Sequence, residues 1–215
     1  MNETEHSLLI RLADALELAF RQAVAQAHRN HAGERFYAYI LFTSPLLDYA
    51  APSFNTEEGL AAITKDTDGR EQLRWQPPEW KYNWEGQEFF EGVDEILGSL
   101  LKLQRYTEQG WGLRWDAFVQ AIKRLDKQGI FGMGQPRELV LVNIMWGDQD
   151  AVAHVESARD LNPMASYLRY ASQELPTLYA KENEIEGSRS MYKEESLLRV
   201  RRTLKQVEAD LGHGN

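Results

Sequence analysis

Asp148, Asp150 and His154 are the side chains of this sequence whose types and spacing best suit a reaction. They directly follow the apolar run Glu138–Trp146, ELVLVNIMW. Two carboxylates and an imidazole so placed suit a hard metal ion or a proton relay, and the end of a buried strand is where open α/β sheets often hold ligands. On that reading the chain is a metal-assisted hydrolase or a similar enzyme. The competing reading is local: Asp148 serves the turn, Asp150 caps the next helix and His154 lies one turn on. We favour the second, so no catalytic residue is assigned and an enzyme is the alternative. His28 and His31 lack a nearby third ligand and read as the basic end of a helix. No Ser-His-Asp or Gly-x-Ser-x-Gly pattern occurs, and Phe131-Gly132-Met133-Gly134 lacks the Gly-Lys-Ser/Thr ending of a phosphate loop. No metal and no cofactor is expected.

A second group suits binding rather than bond-making. Trp75, Trp80 and Trp84 fall within ten residues in QLRWQPPEWKYNWEG. Pro77 and Pro78 stop a helix there. Trp80, Tyr82 and Trp84 alternate with Glu79, Lys81 and Asn83, which in an extended segment puts the three rings on one side. Trp75, Trp80, Tyr82 and Trp84 are therefore either core or the wall of a groove for a partner.

Composition bounds the partner. A net charge of −9 over 215 residues opposes nucleic acid and an anionic membrane, and it permits a basic protein partner. The lack of cysteine excludes disulfides, thiolate nucleophiles and cysteine-held zinc or iron–sulfur clusters. The N-terminus Met-Asn-Glu-Thr-Glu is acidic where a signal peptide is basic, and no apolar run reaches a membrane span. A cytoplasmic protein is the expectation.

The elements that must position these groups follow from periodicity. Thr4–Arg29 carries a helical apolar stripe. Glu34–Thr43 and Leu47–Phe54 read as an antiparallel pair, with Pro52 at an edge or bulge. Asn55 and Glu58 form a capping box for a helix over Thr56–Thr64. Asp66–Gly69 is a polar turn and Gln72–Trp75 a third strand. A long helix runs from Gln87, Gly110 breaks it, and Trp111–Lys127 is the next helix. Glu138–Trp146 reads as the central strand, buried on both faces. Helices follow over Asp150–Ala158 and from Asn162-Pro163. Past Pro176 the composition changes: Lys181–Ser190 reads as a linker, and Ser190–Leu211 carries Leu197, Val200, Leu204, Val207 and Leu211 at heptad-like steps. The expected fold is α+β: a mainly antiparallel sheet with helices packed on one face, over residues 1–176, plus a helical C-terminal extension, 177–215. We favour docking of that helix on its own domain, in a monomer; a dimer seam along the helix is the alternative.

The segments RFYAYILFT, SFNTEEGL, LRWQPPEWKYNWEG, LVLVNIMWGDQD and LNP occur in an order that resembles a mostly bacterial family catalogued as domain of unknown function 4303. The resemblance covers about Phe36 to Pro163. It implies a leading helix, a hairpin, a tryptophan-centred segment and a late strand, and it carries no catalytic residues over. Similar small α+β families act as immunity proteins beside bacterial toxins. The expectation is therefore a protein-interaction module, with the immunity type as its specific form.

Overall fold

The computed structural model describes residues 3–104, 107–147, 150–188, 190 and 192–213. The first element is α1 (Glu3–Asn30), with Leu12, Leu16, Phe20, Ala23 and Ala27 buried along one stripe and His28 and Arg29 in the last turn. Next come β1 (Phe36–Thr43), β2 (Ala51–Thr56), α2 (Glu57–Ile63), α3 (Thr67–Leu73) and the two-residue β3 (Tyr82–Asn83). Then follow α4 (Glu91–Gln104), α5 (Glu108–Lys127), the single turn α6 (Gln135–Glu138), β4 (Leu141–Trp146), α7 (Ala151–Leu161), α8 (Met164–Gly187) and α9 (Lys193–His213).

The strands form one sheet in the order β3-β2-β1-β4. The β1/β2 and β2/β3 pairs are antiparallel, and β1/β4 is parallel, with Ala38 opposite Leu141 and Thr43 opposite Trp146. The fold is α+β as expected, with a mixed sheet. Helices cover both faces, not one. Along β1 the side chains alternate: Tyr39 and Leu41 meet α1, α4 and α5, while Ala38, Ile40 and Phe42 meet α7, α8 and α9. The sequence of β1 says as much, since FYAYILFT is apolar at both parities and such a strand has two buried faces.

Other expectations shift with identifiable causes. The sheet ends at β4, so Glu138–Trp146 is not central, although all six β4 residues are buried. Gln72–Trp75 is not a strand: Asp66 accepts from the Gly69 N–H and starts α3, which takes in Gln72 and Leu73. Thr56, rather than Asn55, caps α2 through the Gly59 N–H. Gly110 does not break a helix but lies in the first turn of α5, where Thr107 caps its N–H; a Cβ there would sit 2.7 Å from that of Gln104.

The C-terminal segment is helical well beyond the expected joint. Helix α8 passes through Pro176 and ends at Gly187, so most of Lys181–Ser190 is helix rather than linker. The proline removes one N–H partner, from Ser172, which is exposed to water. Helix α9 buries Leu197, Val200, Leu204 and Val207 of this same chain against α7 and α8. Its side chains form ion pairs with α7 and α8: Arg199 with Glu156 at 2.8 Å, Arg201 with Glu182 at 2.6 Å, and Asp210 with Arg159 at 2.8 Å.

Candidate functional site

The predicted aromatic wall separates into three environments. Trp75 and Trp80 pack edge-on to Tyr37 in the core beneath α7–α9, their indole N–H groups bound to Gln173 Oε1 and the Leu73 carbonyl. Tyr82 lies in the core on the opposite face, stacked on His31 at 3.8 Å, with its hydroxyl donating to Glu34. Trp84 is 48% exposed. The three rings of the alternating run do not share a side because the chain turns: the Asn83 N–H donates to the Trp80 carbonyl, and Trp84 has φ +66.

Trp84 is the member of this group that solvent reaches. Left-handed backbone costs a bulky residue about 1–3 kcal/mol and persists only where its surroundings enforce it. Here the Trp84 N–H donates to the Pro52 carbonyl at 2.9 Å, and the Trp84 carbonyl accepts from the Gln87 N–H at 3.2 Å. The following Gly86, φ +88, packs against α1 so closely that a Cβ would lie 2.7 Å from that of Ala23. Glu85 ties the same turn to Asn30, the last residue of α1, and to His31 just past it, both at 2.7 Å. The turn is thus clamped from two sides while its indole points outward.

Tyr49 is the ring beside that indole, 6.1 Å from it centre to centre, and carboxylates lie along the chain on either side of Trp84. Asp94 accepts from the Ala50 N–H, and its pKa is raised by burial, opposed by that bond, with the neighbouring Asp48 adding to the rise. From Glu79 to Glu95 the sequence carries six acids and one lysine. An indole face beside carboxylates suits an arginine or lysine side chain, which gains from both.

The enzymatic candidates sit elsewhere. Asp148 lies outside the described residues. Asp150 caps α7 by accepting from the Ala153 N–H at 3.1 Å, and its other oxygen is 3.7 Å from Arg199. His154 is buried, its Nε2 accepting from the Trp146 N–H at 3.1 Å. That bond requires an unprotonated Nε2, and burial pushes the imidazole pKa down to about 4. Two further side chains finish the outer edge of β4. Asn162 accepts from the Val142 N–H at 2.8 Å and donates to its carbonyl at 2.7 Å, as a neighbouring strand would. Asn143 accepts from the Ile144 N–H at 3.0 Å and donates to the His154 carbonyl. The N–H groups of Val142, Ile144 and Trp146 are each spared the roughly 1–3 kcal/mol cost of going unpaired.

Sequence reasoning missed a second aromatic series: Trp111 stacks on Trp115 at 5.4 Å, Trp115 meets Trp146 edge-on at 6.1 Å, and Trp146 meets His154 at 4.9 Å. The i, i+4 spacing of Trp111 and Trp115 was the available signal. It also missed Glu174 on α8, whose carboxyl is raised to about 7 by burial, with a hydrogen bond from Thr177 opposing the rise. Nothing in the local sequence marks that residue as enclosed. His28, with its Nε2 2.5 Å from the Tyr39 hydroxyl, has a pKa lowered by burial. Among the described residues no group of three or more His, Asp and Glu side chains is arranged to hold a metal ion, and no helix is long and apolar enough to cross a membrane.

No curated protein and no solved structure matches the chain. The match that exists is to a family's sequence model over residues 16–163, from the middle of α1 to the start of α8, which takes in the whole sheet, the Trp84 turn and the edge of β4. The chain therefore belongs to the family described as Domain of unknown function (DUF4303).

Proposed function

We propose that this chain is a protein-interaction module that engages a basic protein partner through the surface centred on Trp84, and that its role is of the immunity type, neutralising a toxin by binding it. One observation carries the reading: a large aromatic ring is kept half in solvent by strained backbone, next to Tyr49, whose chain neighbours Asp48 and Ala50 bring in two carboxylates, Asp48 itself and Asp94 bonded to the Ala50 N–H. Folding gains little from such an arrangement, whereas a cationic side chain docking there gains a π face and a carboxylate together. The overall charge of −9 supports the same partner by steering its approach. The hydrolase reading has less support, because the side chains of Asp150 and His154 are already occupied in capping α7 and closing the β4 edge.

Capture from the native cell tests this with three chains: wild type, Trp84→Ala, and Asp48→Asn combined with Asp94→Asn. The expected outcome is one basic protein held by the wild type, released as salt rises, and recovered at least about tenfold less by both variants, a loss of ~1.4 kcal/mol. Equal recovery by all three overturns the Trp84 surface. Should the captured protein prove harmless when expressed alone, the neutralising role is removed.

A further inference from the structure

A second cleft, sharing no residue with the Trp84 surface, opens where four elements meet: the Trp75–Pro78 turn, the end of β4, the first turn of α7, and the middle of α8. The enclosed room is small, ≈ 60 Å³, which suits only a compact ligand. It lies at the C-terminal end of the parallel β1/β4 pair, where strands and helices diverge and leave room for a ligand. Trp75, Trp146, Tyr170 and Pro77 supply flat, carbon-rich walls, and Trp75 and Tyr170 hold each other edge-on at 5.2 Å.

Among the described residues the lining contains one carboxyl, Glu174, and no lysine or arginine. Among the described residues Glu174 has no cationic partner in an ion pair. The other titratable groups facing the cleft are His154 from α7 and Tyr170 from α8; the strand end and the Trp75–Pro78 turn contribute none among the described residues. His154 is held neutral by its bond to Trp146, and burial keeps the Tyr170 hydroxyl protonated. A half-enclosed carboxyl with aromatic walls and no counter-charge lacks one component, a cation. A hard metal ion is a poor fit, because it takes six or more oxygen ligands and the cleft offers one carboxylate. An anion finds no positive group, and a neutral apolar ligand would leave the carboxyl unpaired. We infer that this cleft binds a small organic cation, a primary or methylated ammonium, with its charge on Glu174 and its carbon body against Trp75 and Trp146.

Burial without a counter-charge favours the neutral acid and raises the Glu174 pKa, and a bound cation reverses that preference. The test is carbon-13 NMR of the glutamate carboxyls in the wild-type chain, titrated with ethylammonium, with tetramethylammonium and with sodium chloride at equal ionic strength. We expect either organic cation to lower the Glu174 midpoint by about one unit or more, with affinity rising at least about tenfold between pH 5.5 and 7.5 as the carboxylate forms. We also expect Glu174→Gln, checked for an unchanged melting curve, to bind at least about tenfold more weakly. A sodium chloride effect of the same size, no saturable shift, or equal binding by Glu174→Gln would overturn the inference. The wild-type titration stands even if the variant fails to fold. A blocked lysine tripeptide run beside ethylammonium separates sources: tighter peptide binding assigns the cation to a partner's side chain, and tighter ethylammonium binding assigns it to a free amine.

Discussion

The ring of His154 accepts the backbone N–H of Trp146, nitrogen to Nε2, at 3.1 Å, and the two rings meet edge-on with centres 4.9 Å apart. One imidazole therefore ends the outer edge of β4 and fixes the indole that lines the Glu174 cleft. Because the accepting nitrogen must stay unprotonated, the bond belongs to neutral His154 and is lost on protonation.

His154 and Glu174 give opposite pH dependences of stability. The His154 pKa is about 4 in the fold against 6.5 for the free side chain, so the unfolded chain binds the extra proton between them. Stability from His154 is present above pH ~6.5 and is lost as pH falls towards ~4, by up to about 3 kcal/mol. Glu174 is raised to about 7 from 4.5, so there the folded chain holds the extra proton and stability falls as pH rises from ~4.5 to ~7. Measured against wild type by urea unfolding over pH 4–7, the deficit of His154→Phe should grow as pH rises and that of Glu174→Gln should shrink. Identical slopes in the two variants would contradict both assignments.

Asn162→Ala should destabilise by at least about 2 kcal/mol, since the N–H and carbonyl of Val142 lose their partner together. Asn162→Asp should fall between alanine and wild type. It keeps an acceptor for the Val142 N–H beside the Arg137 guanidinium, which already contacts this side chain at 3.3 Å, but it cannot donate to the carbonyl. Chemical denaturation ranks the three; an aspartate variant no better than alanine would show that the acceptor half contributes nothing.

Gly86→Ala and Trp84→Gly, two residues apart, should behave oppositely. The first places a Cβ 2.7 Å from Ala23 Cβ and 2.9 Å from its Cα at φ +88, with no flexible atom to yield, and should cost more than about 2 kcal/mol. The second relieves left-handed strain and gives up a half-exposed ring, and should leave stability within about 1 kcal/mol of wild type. Partner capture should survive in neither. Thermal melts settle the stability half; a large loss in Trp84→Gly would make the indole a packing element first.

Ending the chain after Gly187 removes the cover that Val200, Leu204 and Val207 provide. We expect a lower melting temperature at every protein concentration and new binding of a hydrophobic dye. A truncated chain that keeps its melting temperature but changes from dimer to monomer by light scattering would identify the stripe of α9 as an intermolecular seam.

The order of elements was legible in the sequence wherever periodicity and burial agree, as in α1, β1, α5, α7 and the stripe of α9. It failed where side chains rather than backbone complete a pattern. ELVLVNIMW looks central because it is wholly apolar, and it is wholly buried; what no periodicity reveals is that Asn143, His154 and Asn162 replace the missing neighbour strand. The alternation in Trp80-Lys81-Tyr82-Asn83-Trp84 is genuine in sequence, yet a turn bonded between Asn83 and Trp80 disperses its rings. Glu174 was illegible because its enclosure comes from Trp75 and Trp146, far away along the chain.

The parallel pairing of β1 with β4 bears on how the chain is made. Ala38 and its partner Leu141 are separated by about 100 residues, so at ~5–20 residues per second the second strand leaves the ribosome on the order of 5–20 s after the first. During that interval α1, the β1/β2 hairpin, α4 and α5 can assemble, but one side of β1 has no strand beside it and its Ile40 and Phe42 face lacks the cover of α7, α8 and α9. Those seconds are when the nascent chain is most open to strand exchange with another copy and to chaperone capture, and synonymous codons that slow translation between Lys127 and Leu141 would lengthen the exposure without altering a single residue.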